Sequence, residues 1–150
     1  MDKTFNFDMD GTLANLYAVD NWLDKLRSYD ASPYMEAAPL LRLSTLAYYI
    51  NKAQRNGWRV NVVSWLSKCS TSAYDEAVTE AKKAWLKKHL PSVQFDAIII
   101  VPYGVPKHNL ASGFLFDDEV PNRENWNNAN KSNHAFDACD ILQVMRDLIE

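Results

Sequence analysis

The stretch Phe5-Asn6-Phe7-Asp8-Met9-Asp10-Gly11-Thr12-Leu13 decides how this chain is read. Phe5 and Phe7 share one face of a short strand from Lys3 to Phe7, which breaks off into two carboxylates one residue apart. Like charges that close are costly unless a cation sits between them or one carries a proton. Gly11 follows at once and allows a backbone path that a side chain would obstruct. Taken alone, the pattern also fits a solvated turn or a piece of a calcium loop. The calcium loop fails: the twelfth position counted from Asp8 is Val19, where a bidentate Glu is required.

Outward from that stretch, strand and helix patterns alternate. Asp20 reads as the cap of a helix carrying Trp22, Leu23 and Leu26, and Ser32-Pro33-Tyr34 is a break. Leu43, Leu46, Ala47 and Ile50 recur at helical spacing between Pro39 and Asn56, and Gly57 stops that helix in the C′ role. Trp58 to Val63 reads as a second strand, ending at Ser64. A long helix then runs from Ser72, with Asp75 as a capping partner, and Pro91 closes it. Its apolar face is read as Ala77, Ala81, Ala84 and Trp85, and its Lys82-Lys83 and Lys87-Lys88 pairs as a solvated face. The third strand, Phe95 to Val101, holds an unbroken Ile-Ile-Ile-Val run that predicts burial on both sheet faces. Gly113 to Phe116 is a fourth strand leading into Asp117-Asp118-Glu119. The Asn-rich segment 122–133 reads as a loop with at most one helical turn, and a last helix from Asp140 to Ile149 turns Ile141, Leu142, Met145 and Leu148 inward.

Strands alternating with helices predict an α/β fold with a doubly wound, mostly parallel, Rossmann-like sheet. Residues 1–150 make one domain, with 13–56 as a small helical cap inserted after the first strand. In such sheets ligands bind beyond the carboxyl ends of the strands, at the switch point. The strand ends fall at Asp8, Ser64 and Asp117, with Lys107 in the loop before the fourth strand, so polar residues converge on one edge.

Clustered carboxylates need a cation, and Asp8, Asp10, Asp117 and Asp118 offer the hard oxygen donors that suit Mg²⁺ and a phosphate oxygen. Asp8 is then a competent nucleophile toward phosphorus, and Asp10 a group that exchanges protons with leaving and attacking oxygens. Ser64 and Lys107 are the phosphate-binding candidates, one through a hydroxyl and one through a compact charge. Tyr17 and Trp65, nearest the motifs, are the candidates for substrate contact, while Trp22, Tyr48 and Tyr49 are expected to fill the interface between cap and sheet. Lys3, Lys52 and Lys82 read as ordinary surface lysines, and His89, His108 and His134 have no metal-ligand spacing.

These motifs, in this order, resemble the haloacid dehalogenase superfamily. "FDMDGTL" is similar to its first motif, "VNVVS" ending at Ser64 to its second, Lys107 to the basic third and "FLFDDE" to the acidic fourth. The resemblance implies a Mg²⁺-dependent phosphatase acting through an aspartyl-phosphate on Asp8, with Asp10 as general acid and base and Asp8, Asp10 and Asp117 as the metal set. Within the superfamily the chain looks most like the 5′(3′)-deoxyribonucleotidase group and its small bacterial and phage relatives, departing from it at Thr12 and at Trp65-Leu66. That points to a nucleoside monophosphate as substrate. A phosphatase of sugar phosphates and a non-catalytic phosphate-binding module are the alternatives.

Composition narrows the setting. Hydrophobic residues make up 47% and charged residues 23%, an ordinary globular balance. A net charge of −3 offers no electrostatic footprint for a nucleic-acid backbone or an anionic membrane, so neither is expected as a stable partner. Cys69 and Cys139 lack framework or metal spacing and read as reduced thiols of a cytoplasmic protein. A small cap leaves an open mouth, which a partner subunit in a homo-oligomer would close.

Overall fold

Side-chain alternation in the first strand sets the middle of the sheet. The computed structural model describes residues 1–150. In chain order its elements are β1 (Thr4–Phe7), β2 (Ala14–Asn15), α1 (Trp22–Arg27), α2 (Ser32–Glu36), β3 (Ala38–Pro39), α3 (Leu43–Arg55), β4 (Arg59–Trp65), α4 (Ser72–His89), β5 (Ala97–Val101), β6 (Phe114–Phe116), α5 (Val120–Ala129), β7 (His134–Phe136) and α6 (Ile141–Ile149). Five strands form one sheet in the order β5-β4-β1-β6-β7, and every neighbouring pair is parallel. The chain builds outward from β1 through β4 to β5 and then returns to the other side of β1 for β6 and β7. The order therefore reverses beside β1, which opens a crevice at the carboxyl ends of β1, β4 and β6. No helix is long and apolar enough to cross a membrane.

The core explains why β1 sits in the centre. Phe5 stacks on Trp58 with ring centroids 4.2 Å apart, and Phe7 stacks on Phe116 at 5.2 Å. Leu46, Ile50 and Ala53 of α3, Trp85 and Leu86 of α4, and Ile141 and Met145 of α6 complete that cluster. Of residues 13–56, α3 thus packs into the main core. Leu13, Ala14 and Ala37 join that core too, while a second cluster sets Leu16 and Tyr34 against Leu66, Tyr74, Val78 and Ala81. Trp85 ties α4 to the segment before β3 within the main core: its ring is fully buried and its indole N–H donates to the Ala37 carbonyl at 2.8 Å.

Several local expectations are corrected. The helix after Val19 begins at Trp22, with Asn21 in the left-handed region and no side-chain cap from Asp20. The cap of α4 is Thr71, whose hydroxyl oxygen accepts from the Tyr74 amide at 3.1 Å. The buried face of α4 is Tyr74, Val78, Ala81, Lys82, Trp85 and Leu86, so Ala77 and Ala84 are exposed. Small alanines gave a weak stripe there, and the larger side chains set the rotation. β5 is an edge strand and only half-buried, because nothing pairs beyond it; an apolar run cannot tell one covered face from two. α5 starts at Val120 and runs through Ala129, well into the Asn-rich segment, which is followed by β7. Buried Trp126 donates to the Gly113 carbonyl at 2.9 Å, and this anchor overrides the poor helix propensity of its asparagines.

Trp85→Ala should destabilise the fold by about 3–5 kcal/mol, since it empties a fully buried position of the main core and leaves the Ala37 carbonyl unpaired. Urea unfolding of the variant against the parent checks this; a loss below about 1 kcal/mol would contradict it.

Candidate active site

The chain turns sharply where β1 ends. The Asp8 amide still donates to the Phe116 carbonyl at 3.0 Å, continuing the ladder one residue past the strand. The Met9 carbonyl then accepts from the amides of Thr12, Leu13 and Ala14 at 3.1, 2.9 and 3.0 Å, which winds the backbone back on itself. Gly11 has φ 81°, a left-handed conformation, and a Cβ there would collide with the Asp118 carboxylate. Glycine is thus what lets the β1 loop and the β6 loop touch.

Between those loops lies one ammonium group. Lys107 Nζ donates to Asp8 Oδ1 and to Asp117 Oδ2, each at 2.8 Å, and all three residues are buried. Lys107 arrives on a short 3₁₀ turn, Lys107–Asn109, behind a loop pinned by the Trp65 indole donating to the Val105 carbonyl at 2.7 Å. The Trp65 ring also lies 5.3 Å from Lys107 Nζ, a cation–π contact. Burial disfavours the Lys107 charge, yet the Asp8 and Asp117 carboxylates outweigh it and hold the lysine's pKa above its ordinary value. Asp117 also accepts from the Glu119 amide at 2.9 Å and from the Asn122 side chain at 3.1 Å. The second oxygen of Asp8, Oδ2, accepts from the Thr12 hydroxyl at 2.9 Å.

Asp118 completes a cluster of three carboxylates. Asp8, Asp117 and Asp118 each place an oxygen within 4.8 Å of the others. Lys107 touches only two of them, so negative charge is left over. Burial, and next the Asp8 charge, push Asp117 up to about 6 and Asp118 up to about 8. Hard oxygen donors with surplus negative charge are the set that fits Mg²⁺. Asp8, Asp117 and Asp118 are the residues that would hold it, and Gly11 provides the room for Asp118 to approach.

Asp10 points elsewhere. Its carboxylate is not in that cluster; Oδ2 accepts from Lys82 Nζ at 3.0 Å. Lys82 is 0% exposed, which corrects its reading as a surface lysine on a solvated face. It also donates to Ser64 Oγ at 2.6 Å and to the Trp65 carbonyl at 2.7 Å. The clue was its spacing, since Lys82 falls on the same helical stripe as Val78 and Trp85. The charge type concealed it. Ser64 is closed off from solvent and meets the site through Lys82. Burial raises the pKa of Asp10; Lys82 opposes the shift and the Asp8 charge adds to it.

These groups open on a cavity of about 540 Å³, lined by Asp8, Asp10, Lys107 and Asp117 together with aromatic side chains. Tyr17 and Trp22 meet edge to face at 5.0 Å, and Trp65 and Tyr103 pack at 5.0 Å. Trp22 therefore lines the cavity instead of filling the cap–sheet interface, and Tyr103 joins it from the loop after β5. Tyr48 is exposed and outside the cavity, against the expectation that it packs under the cap. Tyr17 is 46% exposed; partial desolvation of its hydroxyl, with Asp10 and Asp118 nearby, raises its pKa above the usual value.

The raised carboxylates make a signed prediction. Between the unfolded value of 3.8 and the folded values of about 6 and about 8, the folded chain holds protons that the unfolded chain has lost. Stability in a chelator should therefore fall as pH rises through that window. Mg²⁺ should raise the thermal midpoint, most strongly near the top of the window, and Gly11→Ala should remove that shift. Thermal melts at stepped pH, with EDTA or with Mg²⁺, measure both effects; a flat chelator profile would contradict the assignment.

No protein-family model and no curated protein matches the chain. Among solved structures it is similar to D,D-heptose 1,7-bisphosphate phosphatase from B. bronchiseptica, complexed with magnesium and phosphate, at 13% identity and a TM-score of 0.59 over 97% of this chain and 99% of that one. It is similar also to D,D-heptose 1,7-bisphosphate phosphatase from Burkholderia thailandensis, at 14% identity and a TM-score of 0.60 over 99% of both chains. With its five-stranded parallel sheet, the chain shares the α/β, Rossmann-like fold of these two structures.

Proposed function

We propose that this protein is a Mg²⁺-dependent phosphomonoester hydrolase that works through a phosphorylated Asp8. The observation that carries this reading is Lys107 bridging Asp8 and Asp117 at 2.8 Å each, with Asp118 beside them. Both Asp8 oxygens are already held, one by Lys107 and one by Thr12, so the nucleophile is oriented before substrate arrives. Lys107 uses two of its three N–H groups on these carboxylates and keeps one for a phosphoryl oxygen. Bound Mg²⁺ would supply charge neutralisation of the phosphoryl oxygens.

The chemistry follows from the two aspartates. An Asp8 oxygen attacks phosphorus and the ester P–O bond breaks, while Asp10 gives its proton to the leaving alcohol oxygen. A water then loses a proton to Asp10 and attacks phosphorus, which breaks the bond to Asp8 and releases phosphate. The raised pKa of Asp10 suits a group that must be protonated for the first step.

For the leaving group, a sugar phosphate is supported by the similar structures, which are sugar-bisphosphate phosphatases. A nucleoside monophosphate is the second reading, favoured by Tyr17, Trp22, Trp65 and Tyr103 along the cavity. A base stacked on such rings gains roughly 1–3 kcal/mol.

Phosphate release from a panel of sugar phosphates and nucleoside monophosphates, with and without Mg²⁺, tests the function and chooses between the substrates. Asp8→Asn should abolish turnover with the circular dichroism spectrum unchanged; full activity in that variant would refute the reading. Asp10→Asn should lower turnover by about 10²–10⁴-fold.

A further inference from the structure

Lys82 is the buried charge that this mechanism leaves unused. Its ammonium has three N–H groups and three acceptors: Asp10 Oδ2, Ser64 Oγ and the Trp65 carbonyl. The Tyr34 ring lies 5.2 Å away and covers it further. No proton remains for a substrate oxygen, in contrast to Lys107. A buried ammonium of this kind is tolerated only when paired, and Asp10 is its one carboxylate. Asp10, in turn, lines the cavity, and its Oδ1 makes no hydrogen bond within the protein.

We propose that Lys82 is a positioning residue: it clamps Asp10 by Oδ2 and so presents Oδ1 as the oxygen that exchanges a proton with the substrate. Ser64 and the Trp65 carbonyl hold the clamp itself, because both belong to β4 and fix the ammonium against the sheet. The proton passes from Asp10 Oδ1 to the leaving oxygen, and Lys82 keeps all of its own. This rests on the hydrolase reading above.

The test compares two esters through kcat/KM, which reports the step in which the leaving group departs. Glycerol phosphate has a poor alkoxide leaving group and needs the proton from Asp10. p-Nitrophenyl phosphate has a phenolate that departs without it. Lys82→Met should lower kcat/KM on glycerol phosphate by about 10²-fold and on p-nitrophenyl phosphate by no more than about threefold. A loss that is equal on both esters, or no loss on either, overturns the inference. Should the unpaired Asp10 prevent Lys82→Met from folding, the Asp10→Asn/Lys82→Met double variant removes both charges. Compared with Asp10→Asn alone, it should show an unchanged ratio between the two esters, and a further tenfold drop in that ratio overturns the inference. Absence of Mg²⁺-dependent turnover in the unaltered protein would instead overturn the hydrolase reading, and this inference with it.

Discussion

The contact on which the site depends is the Lys107 ammonium between Asp8 and Asp117. β1 and β6 are adjacent parallel strands, so their carboxyl ends bring these two acids side by side in a buried setting. Without a cation, the pair would repel and one acid would take up a proton. Parallel pairing creates that problem and the loop between β5 and β6 answers it by delivering Lys107. Trp65 holds that loop through one hydrogen bond and one ring face, which ties the end of β4 to the same point. Three strand ends are thus coupled through one charge.

A second lysine explains how Asp8 and Asp10 coexist. In a continuing strand, residues two apart share a face, and the two carboxylates would crowd together. The strand stops at Phe7, and the turn around the Met9 carbonyl sends Asp10 toward α4 instead. There Lys82 receives it, while Lys107 holds Asp8. Two acids one residue apart therefore have separate cations and separate neighbours. This divides the site into a three-carboxylate side, with Asp8, Asp117 and Asp118 around Lys107, and a second side where Asp10 meets Lys82. The cavity joins the two, and its aromatic lining comes from segments distant in sequence: residues 17–34, the end of β4 and the loop after β5.

Much of this was legible from residue order. The strand ends before Asp8 and Asp117 follow from where apolar residues give way to charge, whereas β4 runs one residue past Ser64, to Trp65, because Ser64 carries no charge to stop it. Parallel topology followed from strands separated by helices long enough to cross over. The misreadings have a common physical origin. The exposure of β5, the rotation of α4 and the helix within the Asn-rich segment each depend on what packs against the element, which no local window contains. Trp126 makes α5 stable by burying its ring, although its neighbours favour turns.

Hydrophobic period and the placement of charge after a strand were enough to indicate four of the five parallel strands and the acids that follow β1 and β6, since these are properties of neighbouring residues. Which acid each lysine would meet was decided only in three dimensions. Lys82 and Asp10 are separated by 72 positions, and Lys107 and Asp8 by 99. An ammonium on a helix reads as solvent-facing until the fold removes its water, and then its pairing becomes obligatory. Tertiary packing turned Lys82 from an apparent surface charge into the partner of Asp10.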